Sequence, residues 1–161
     1  TVTGTVTVGV DPVWVAFDGT NIWVTNVGSG TVSKINPVSN AVTATVTVGT
    51  YPEGVAIDGT NIWVTNRGSG TVSKIDPVSN AVTATVTVGD NPQGVVFDGT
   101  NIWVTASMLF FNPGTVSRID PVSNTVTGTV TVGVDPVWVA FDGTNIWVTN
   151  VGSGTVSKIR V

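Results

Sequence analysis

The chain has no cysteine and no histidine among its 161 residues. Without thiols there are no disulfides and no thiolate metal sites, and without imidazole the usual general base and metal ligand are missing as well. Charge is scarce too: ten acids and six bases give a net charge of -4. That offers no basic footprint for a phosphate backbone, so nucleic acid is not an expected partner. No apolar run reaches the roughly 18 residues of a helical membrane span, and no signal-peptide pattern is present. No membrane contact and no cofactor are expected.

What is there is apolar and repetitive. Hydrophobic residues make up 41% of the chain against 10% charged, far from the composition of a disordered segment. The length suits one domain, 1–161, which at this size buries roughly 70% of the surface of its unfolded chain. The octapeptide Asp-Gly-Thr-Asn-Ile-Trp-Val-Thr begins at Asp18, Asp58, Asp98 and Asp142, at spacings of 40, 40 and 44. The longer spacing comes from Ala106 to Gly114, which replaces the Asn-Xaa-Gly-Ser-Gly of the other copies. Residues 1–35 are also identical to 125–159, so the chain reads as a window on a longer array or as an engineered object.

Within each unit the apolar residues recur with period two, and turn residues punctuate them about every ten positions. In the first unit Val13–Phe17, Ile22–Thr25, Thr31–Ile35 and Val42–Val48 read as strands, separated by Asp-Gly-Thr-Asn, a glycine-rich turn and Asn-Pro-Val-Ser-Asn. The fourth strand alternates valine with threonine, as suits an outer strand that is half exposed. Four strands in about 40 residues make one blade of a β-propeller. The fold class is therefore all-β, with four antiparallel blades: 13–49, 53–89, 93–133, and a split blade of 137–161 plus 1–9.

The ends are complementary, because 1–9 is a fourth strand without a blade and 137–160 is a blade without a fourth strand. Closing the chain on itself gives a four-bladed monomer. Exchanging ends between two chains, 1–9 of one against 155–160 of the other, gives an eight-bladed homodimeric ring. Small and flat residues between blades suit nearly parallel sheets, which favours the dimer.

The segments Ile22–Asn26, Ile62–Asn66 and Ile146–Asn150, each Ile-Trp-Val-Thr-Asn, resemble the signature of the YVTN group of propeller repeats, with Trp-Val in place of Tyr-Val. The stretch from Pro52 to Asp58 is similar to the inner strand of these and of the related NHL repeats. The resemblance implies a binding or scaffolding role and an extracellular or cell-surface location in a bacterium or archaeon. A catalytic member of similar repeats, virginiamycin B lyase, uses a histidine, acidic residues and magnesium; the missing histidine argues against that chemistry here.

Among candidate sites, the tryptophans Trp23, Trp63, Trp103 and Trp147 are better explained as packing between blades than as a ligand platform. The aspartates Asp18, Asp58, Asp98 and Asp142 supply one carboxylate per hairpin turn, too few for a calcium loop. The basic residues Lys34, Lys74, Arg118 and Lys158 read as a solvated row. Differences between blades concentrate in two connections, the one entering the first strand and the one between the second and third, and both should lie on one face. That face carries Trp14, Tyr51, Glu53, Arg67, Asn91, Gln93, Met108, Leu109, Phe110, Phe111 and Trp138 as candidate binding residues for a peptide, glycan or small ligand. Its acids Asp11, Glu53, Asp90 and Asp135 have no base partner of the usual kind. The expected function is non-enzymatic binding or scaffolding, with an array fragment lacking its own ligand as the alternative.

Overall fold

The computed structural model describes residues 1–108 and 112–161. The first blade comprises β1 (Pro12–Phe17), β2 (Ile22–Asn26), β3 (Thr31–Asn36) and β4 (Ala41–Thr47), hydrogen-bonded in that order. The second comprises β5 (Pro52–Ile57), β6 (Ile62–Asn66), β7 (Thr71–Asp76) and β8 (Ala81–Thr87). The third comprises β9 (Pro92–Phe97), β10 (Ile102–Ala106), β11 (Pro113–Asp120) and β12 (Thr125–Val134). The last has three strands only, β13 (Pro136–Phe141), β14 (Asn145–Asn150) and β15 (Thr155–Arg160). Every described strand pair is antiparallel, and a short 3-10 turn, Val27–Ser29, sits between β2 and β3.

The hairpin between first and second strands is fixed by its aspartate. Asp58 Oδ1 accepts the backbone N–H groups of Thr60 and Asn61 at 2.8 and 2.6 Å, while Oδ2 accepts the Trp63 indole N–H at 2.7 Å. Asp18, Asp98 and Asp142 repeat the arrangement on Trp23, Trp103 and Trp147. The glycine after each aspartate lies at φ between 90° and 95°, where a side chain would be strained. Each carboxylate is thus occupied by N–H donors, and among the described residues no three acids gather as a metal cluster.

Tied down in this way, Trp23, Trp63 and Trp103 are buried between their own blade and the next. Trp23, Val32 and Val46 pack on Val55, Ile62 and Val64 of the following blade. Trp63, Val72 and Val86 pack on Ile102 and Val104, and Trp103 and Val116 on Ile146 and Val148. The fourth tryptophan has no following blade, so Trp147 is 38% exposed where Trp23 and Trp63 are fully buried. Val156 of β15 is 60% exposed, whereas its counterparts Val32, Val72 and Val116 are at 0%. At the other end of the arc, Val13, Val15 and Phe17 of β1 are more than half exposed.

Residues 1–9, expected as a fourth strand, form none in the single chain. Their partner strand would be β15, which lies at the opposite end of an open arc. The Gly9 end of the segment is nonetheless placed as its counterparts are: a Cβ there would strike Asn26 and Ser29, just as one at Gly49 would strike Asn66 and Ser69.

The pKa directions of the anchoring aspartates set an acid limit. Burial raises the pKa of the Asp58 carboxyl, but the donors from Trp63, Asn61 and Thr60 outweigh it and leave the group below the ordinary carboxylate range. Asp18 and Asp98 follow, and the exposed Asp142 is held well below it by the Trp147 indole first. A carboxyl whose folded pKa lies below its unfolded value of about 4 contributes stability above that pH and loses it as the pH falls through the folded value. Thermal melts followed by tryptophan fluorescence should therefore give a flat midpoint from about pH 7 to about pH 5 and a fall below about pH 4. Asp58→Asn should lower the neutral midpoint and flatten that fall.

Candidate functional site

The connections that differ between blades are brought together by backbone hydrogen bonds. The N–H groups of Val27 and Gly28 donate to the carbonyls of Asp11 and Val10, each at 3.0 Å. Arg67 N–H donates to Tyr51 O at 2.9 Å, Ser107 N–H to Asn91 O at 3.4 Å, and Val151 N–H to Asp135 O at 2.9 Å. In every blade the segment entering the first strand is zipped to the turn between the second and third strands. Asp11, Tyr51, Glu53, Arg67, Asn91, Met108 and Asp135 therefore share one face.

Position 51 is under backbone strain. Asp11, Tyr51, Asn91 and Asp135 all have φ between 45° and 54° in the left-handed region. Aspartate and asparagine tolerate that region because their short polar side chains can bond locally, whereas a tyrosine gains nothing from it. The Tyr51 ring is 58% exposed and lies over Gly68, where a Cβ would come within 2.6 Å of it. Beside it Arg67 Nη1 meets Glu53 Oε1 at 3.4 Å, an exposed pair of small energetic weight.

Trp14 and Trp138 come from the first and last strands of the inner row. Within that row β1 packs on β5, β5 on β9 and β9 on β13. The two indoles stack at 4.6 Å between centroids and 25° between planes, across the space the row encloses. Their counterparts are Gly54 and Gly94, where a Cβ would come within 2.5 Å of the Gln93 and Val137 carbonyls of the next blade. The close approach of inner strands thus excludes a side chain at Gly54 and Gly94, while the first and last blades carry tryptophan at the same position.

In the insertion, Ser107 Oγ donates to Asp135 Oδ1 at 2.8 Å and Asn91 Nδ2 to Ser107 O at 3.4 Å, tying its start to the third and fourth blades. Met108 is half exposed. Leu109, Phe110 and Phe111 lie outside the described residues. Gln93 is half-buried, and its backbone carbonyl faces the preceding blade.

The solvated reading of the basic row is corrected by the structure. Lys34 Nζ lies 5.4 Å from the Trp23 ring centroid and donates across the blade boundary to Pro77 O at 2.7 Å and Asn80 Oδ1 at 3.4 Å. Lys74 does the same over Trp63, reaching Pro121 O at 2.7 Å and Asn124 Oδ1 at 3.2 Å. A second bridge was also missed: Thr25, Thr65 and Thr105 donate from Oγ1 to the carbonyls of Glu53, Gln93 and Val137 at 2.7, 2.7 and 2.9 Å. The signal for both was their recurrence in every blade beside tryptophan, where a stem and a cation can lie on an indole face.

No protein-family model matches the chain, and no curated protein matches it. Among solved structures, the whole chain aligns with 53% of a chain of Kuenenia stuttgartiensis hydrazine synthase, at 22% identity and a TM-score of 0.81. A functionally unknown protein from Desulfotomaculum acetoxidans aligns over 89% of this chain and 47% of its own, at 16% identity and a TM-score of 0.78. U3-55K aligns over 92% and 51%, at 14% identity and a TM-score of 0.71. These likenesses establish a β-propeller fold, and the chain spans about half the length of the structures it matches.

Tyr51→Asn should relieve the left-handed strain and raise stability by up to about 1 kcal/mol, read as a higher urea midpoint with an unchanged slope. An unchanged or lower midpoint would mean that the ring's packing on Gly68 outweighs the backbone term.

Proposed function

We propose that the protein is a non-enzymatic binding and scaffolding propeller that completes itself by pairing with a second copy, giving an eight-bladed homodimeric ring. The observation that carries this reading is the pair of open blade faces. One end presents Trp147 and Val156, and the other presents Val13, Val15 and Phe17. Inside the chain, faces of these same two kinds are packed on each other three times over. An isolated soluble chain that left both uncovered would expose apolar area of the kind that marks an interface.

The curvature supports two chains over one. Four blades that follow about half of longer propeller-like chains trace an arc. A four-bladed ring would need neighbouring blades to turn about 90° apart, and an eight-bladed ring about half that.

Catalysis is not part of the proposal. The variable face has carboxylates, one arginine and aromatics but neither histidine nor cysteine. Tyr51, Gln93, Asn91 and the Trp14–Trp138 stack offer apolar area with amide and hydroxyl groups, which suits a peptide, a glycan or a small neutral ligand. The likeness of the repeats to the YVTN and NHL groups favours the same role and an extracellular or cell-surface setting.

Light scattering across a dilution series tests the assembly. A mass near twice the 16.5 kDa of the chain is expected. A mass equal to the chain's own at every concentration would overturn the ring and leave a single-chain propeller.

A further inference from the structure

We propose that Thr149 and Lys158 are the docking donors of the seam between two copies, and that residues 1–7 enter the split blade in one defined register; this rests on the ring reading above. The first two blade boundaries are made by the same two donors, and the third keeps the threonine. A threonine of the second strand gives its hydroxyl proton to the first strand of the next blade, as Thr25, Thr65 and Thr105 do. A lysine of the third strand reaches the turn after the next blade's third strand, as Lys34 and Lys74 do. Arg118, which fills the lysine position in the third blade, stacks on Trp103 and instead bonds Thr127 within its own blade. In the blade that it faces, the third strand, β15, is the last described element.

Thr149 and Lys158 occupy these positions in the last blade, and both are exposed. Thr149 Oγ1 accepts the Trp138 N–H at 3.1 Å, as Thr65 Oγ1 accepts that of Gly54, but its own proton meets no acceptor among the described residues. Lys158 Nζ already lies 5.1 Å from the Trp147 ring centroid, much as Lys34 and Lys74 lie over their own indoles, and it has no hydrogen-bond acceptor among the described residues. The repeat assigns the missing acceptors to the second copy. Thr149 takes the carbonyl of Val13, which corresponds to Glu53, Gln93 and Val137. Lys158 takes the carbonyl of Pro37 and Oδ1 of Asn40, which correspond to Pro77 and Asn80.

A third unfilled position points to the same seam. Asn66 Oδ1 accepts the Gly49 N–H at 3.0 Å and Asn150 Oδ1 that of Gly133 at 3.1 Å, and so each fastens the end of a fourth strand to the following blade. Asn26 holds Thr31 and Ser33 with its amide N–H groups as those asparagines hold theirs. Its Oδ1 is the one buried side-chain polar atom without a partner among the described residues. Gly9 N–H is the donor that would fill it once residues 1–8 are drawn taut into a sheet, and an unsatisfied buried acceptor is costly to leave.

The register comes from within the chain. Residues 125–133 repeat residues 1–9, and β12 pairs with β11 through Thr131↔Thr115, Val130↔Val116, Thr129↔Ser117, Gly128↔Arg118, Val126↔Ile119 and Thr125↔Asp120. The first and second blades pair their third and fourth strands at the same positions, each with one irregularity. Carried to the seam, this sets Thr7 opposite Thr155, Val6 opposite Val156, Thr5 opposite Ser157 and Val2 opposite Ile159 of the other copy. Val6 then covers the exposed Val156, as Val46 does Val32.

Cysteine cross-linking tests register and partner together. Chains carrying Thr5→Cys are mixed with chains carrying Ser157→Cys, oxidised, and read on a non-reducing gel while light scattering reports the mass. A cross-linked heterodimer is expected, and the shifted mixture of Thr3→Cys with Ser157→Cys should give none. Cross-linking through Thr3, or through neither, at a mass of twice the chain would overturn the register while leaving the ring intact. A mass of one chain would instead overturn the ring itself. Lys158→Met keeps the stem on Trp147 and removes the donor; it should raise the dimer dissociation constant at least about tenfold, and an unchanged constant would remove Lys158 from the seam.

Discussion

Every blade depends on the next one to bury its tryptophan. The indole is held by an aspartate of its own hairpin and covered by the following sheet, with a lysine or arginine over its ring. An aromatic of this size buries a large area only between two flat surfaces, so a blade by itself is half a structure. The remaining features follow from that need. The lysine stem seals the edge of the ring, the threonine fixes the spacing of inner strands, and glycine at positions 54 and 94 lets those strands approach.

The blade was legible in the sequence because period-two strands and an octapeptide copied four times leave little else for the chain to be. The turn chemistry was legible for the same reason: Asp-Gly-Thr-Asn names its own hydrogen bonds, with glycine where φ is positive and aspartate where two N–H groups converge. The shared face of Tyr51, Arg67 and Asn91 could be read by comparing copies, since variation among otherwise equal units marks where packing does not dictate the residue.

The bridges between blades were not legible as bridges. A lysine recurring every 40 residues looks like a solvated row in one dimension, and its acceptors, a proline carbonyl and an asparagine, sit 43 and 46 residues away. Backbone carbonyls carry no sequence signature. The left-handed backbone at Tyr51 was hidden in the same way, because a tyrosine announces no turn. The stack of Trp14 on Trp138 joins the ends of the inner row, a closeness that only the curvature of the arc creates.

An arc whose two ends fit each other has a choice between closure and growth. A head-to-tail contact generates filaments unless its rotation closes, and a ring of two arcs closes at the second contact. Once one seam has formed, the second is intramolecular, so its donors act at an effective concentration far above that of free chains. Two seams are then gained for one loss of translational freedom, while a growing filament of the same chains gains about one seam per chain added. Both forms approach one seam per chain, but the ring reaches it with no exposed end. At one free end of a filament the buried oxygen of Asn26 would remain unsatisfied, and in the proposed assembly it is this penalty, rather than the strength of any single contact, that would favour the closed ring.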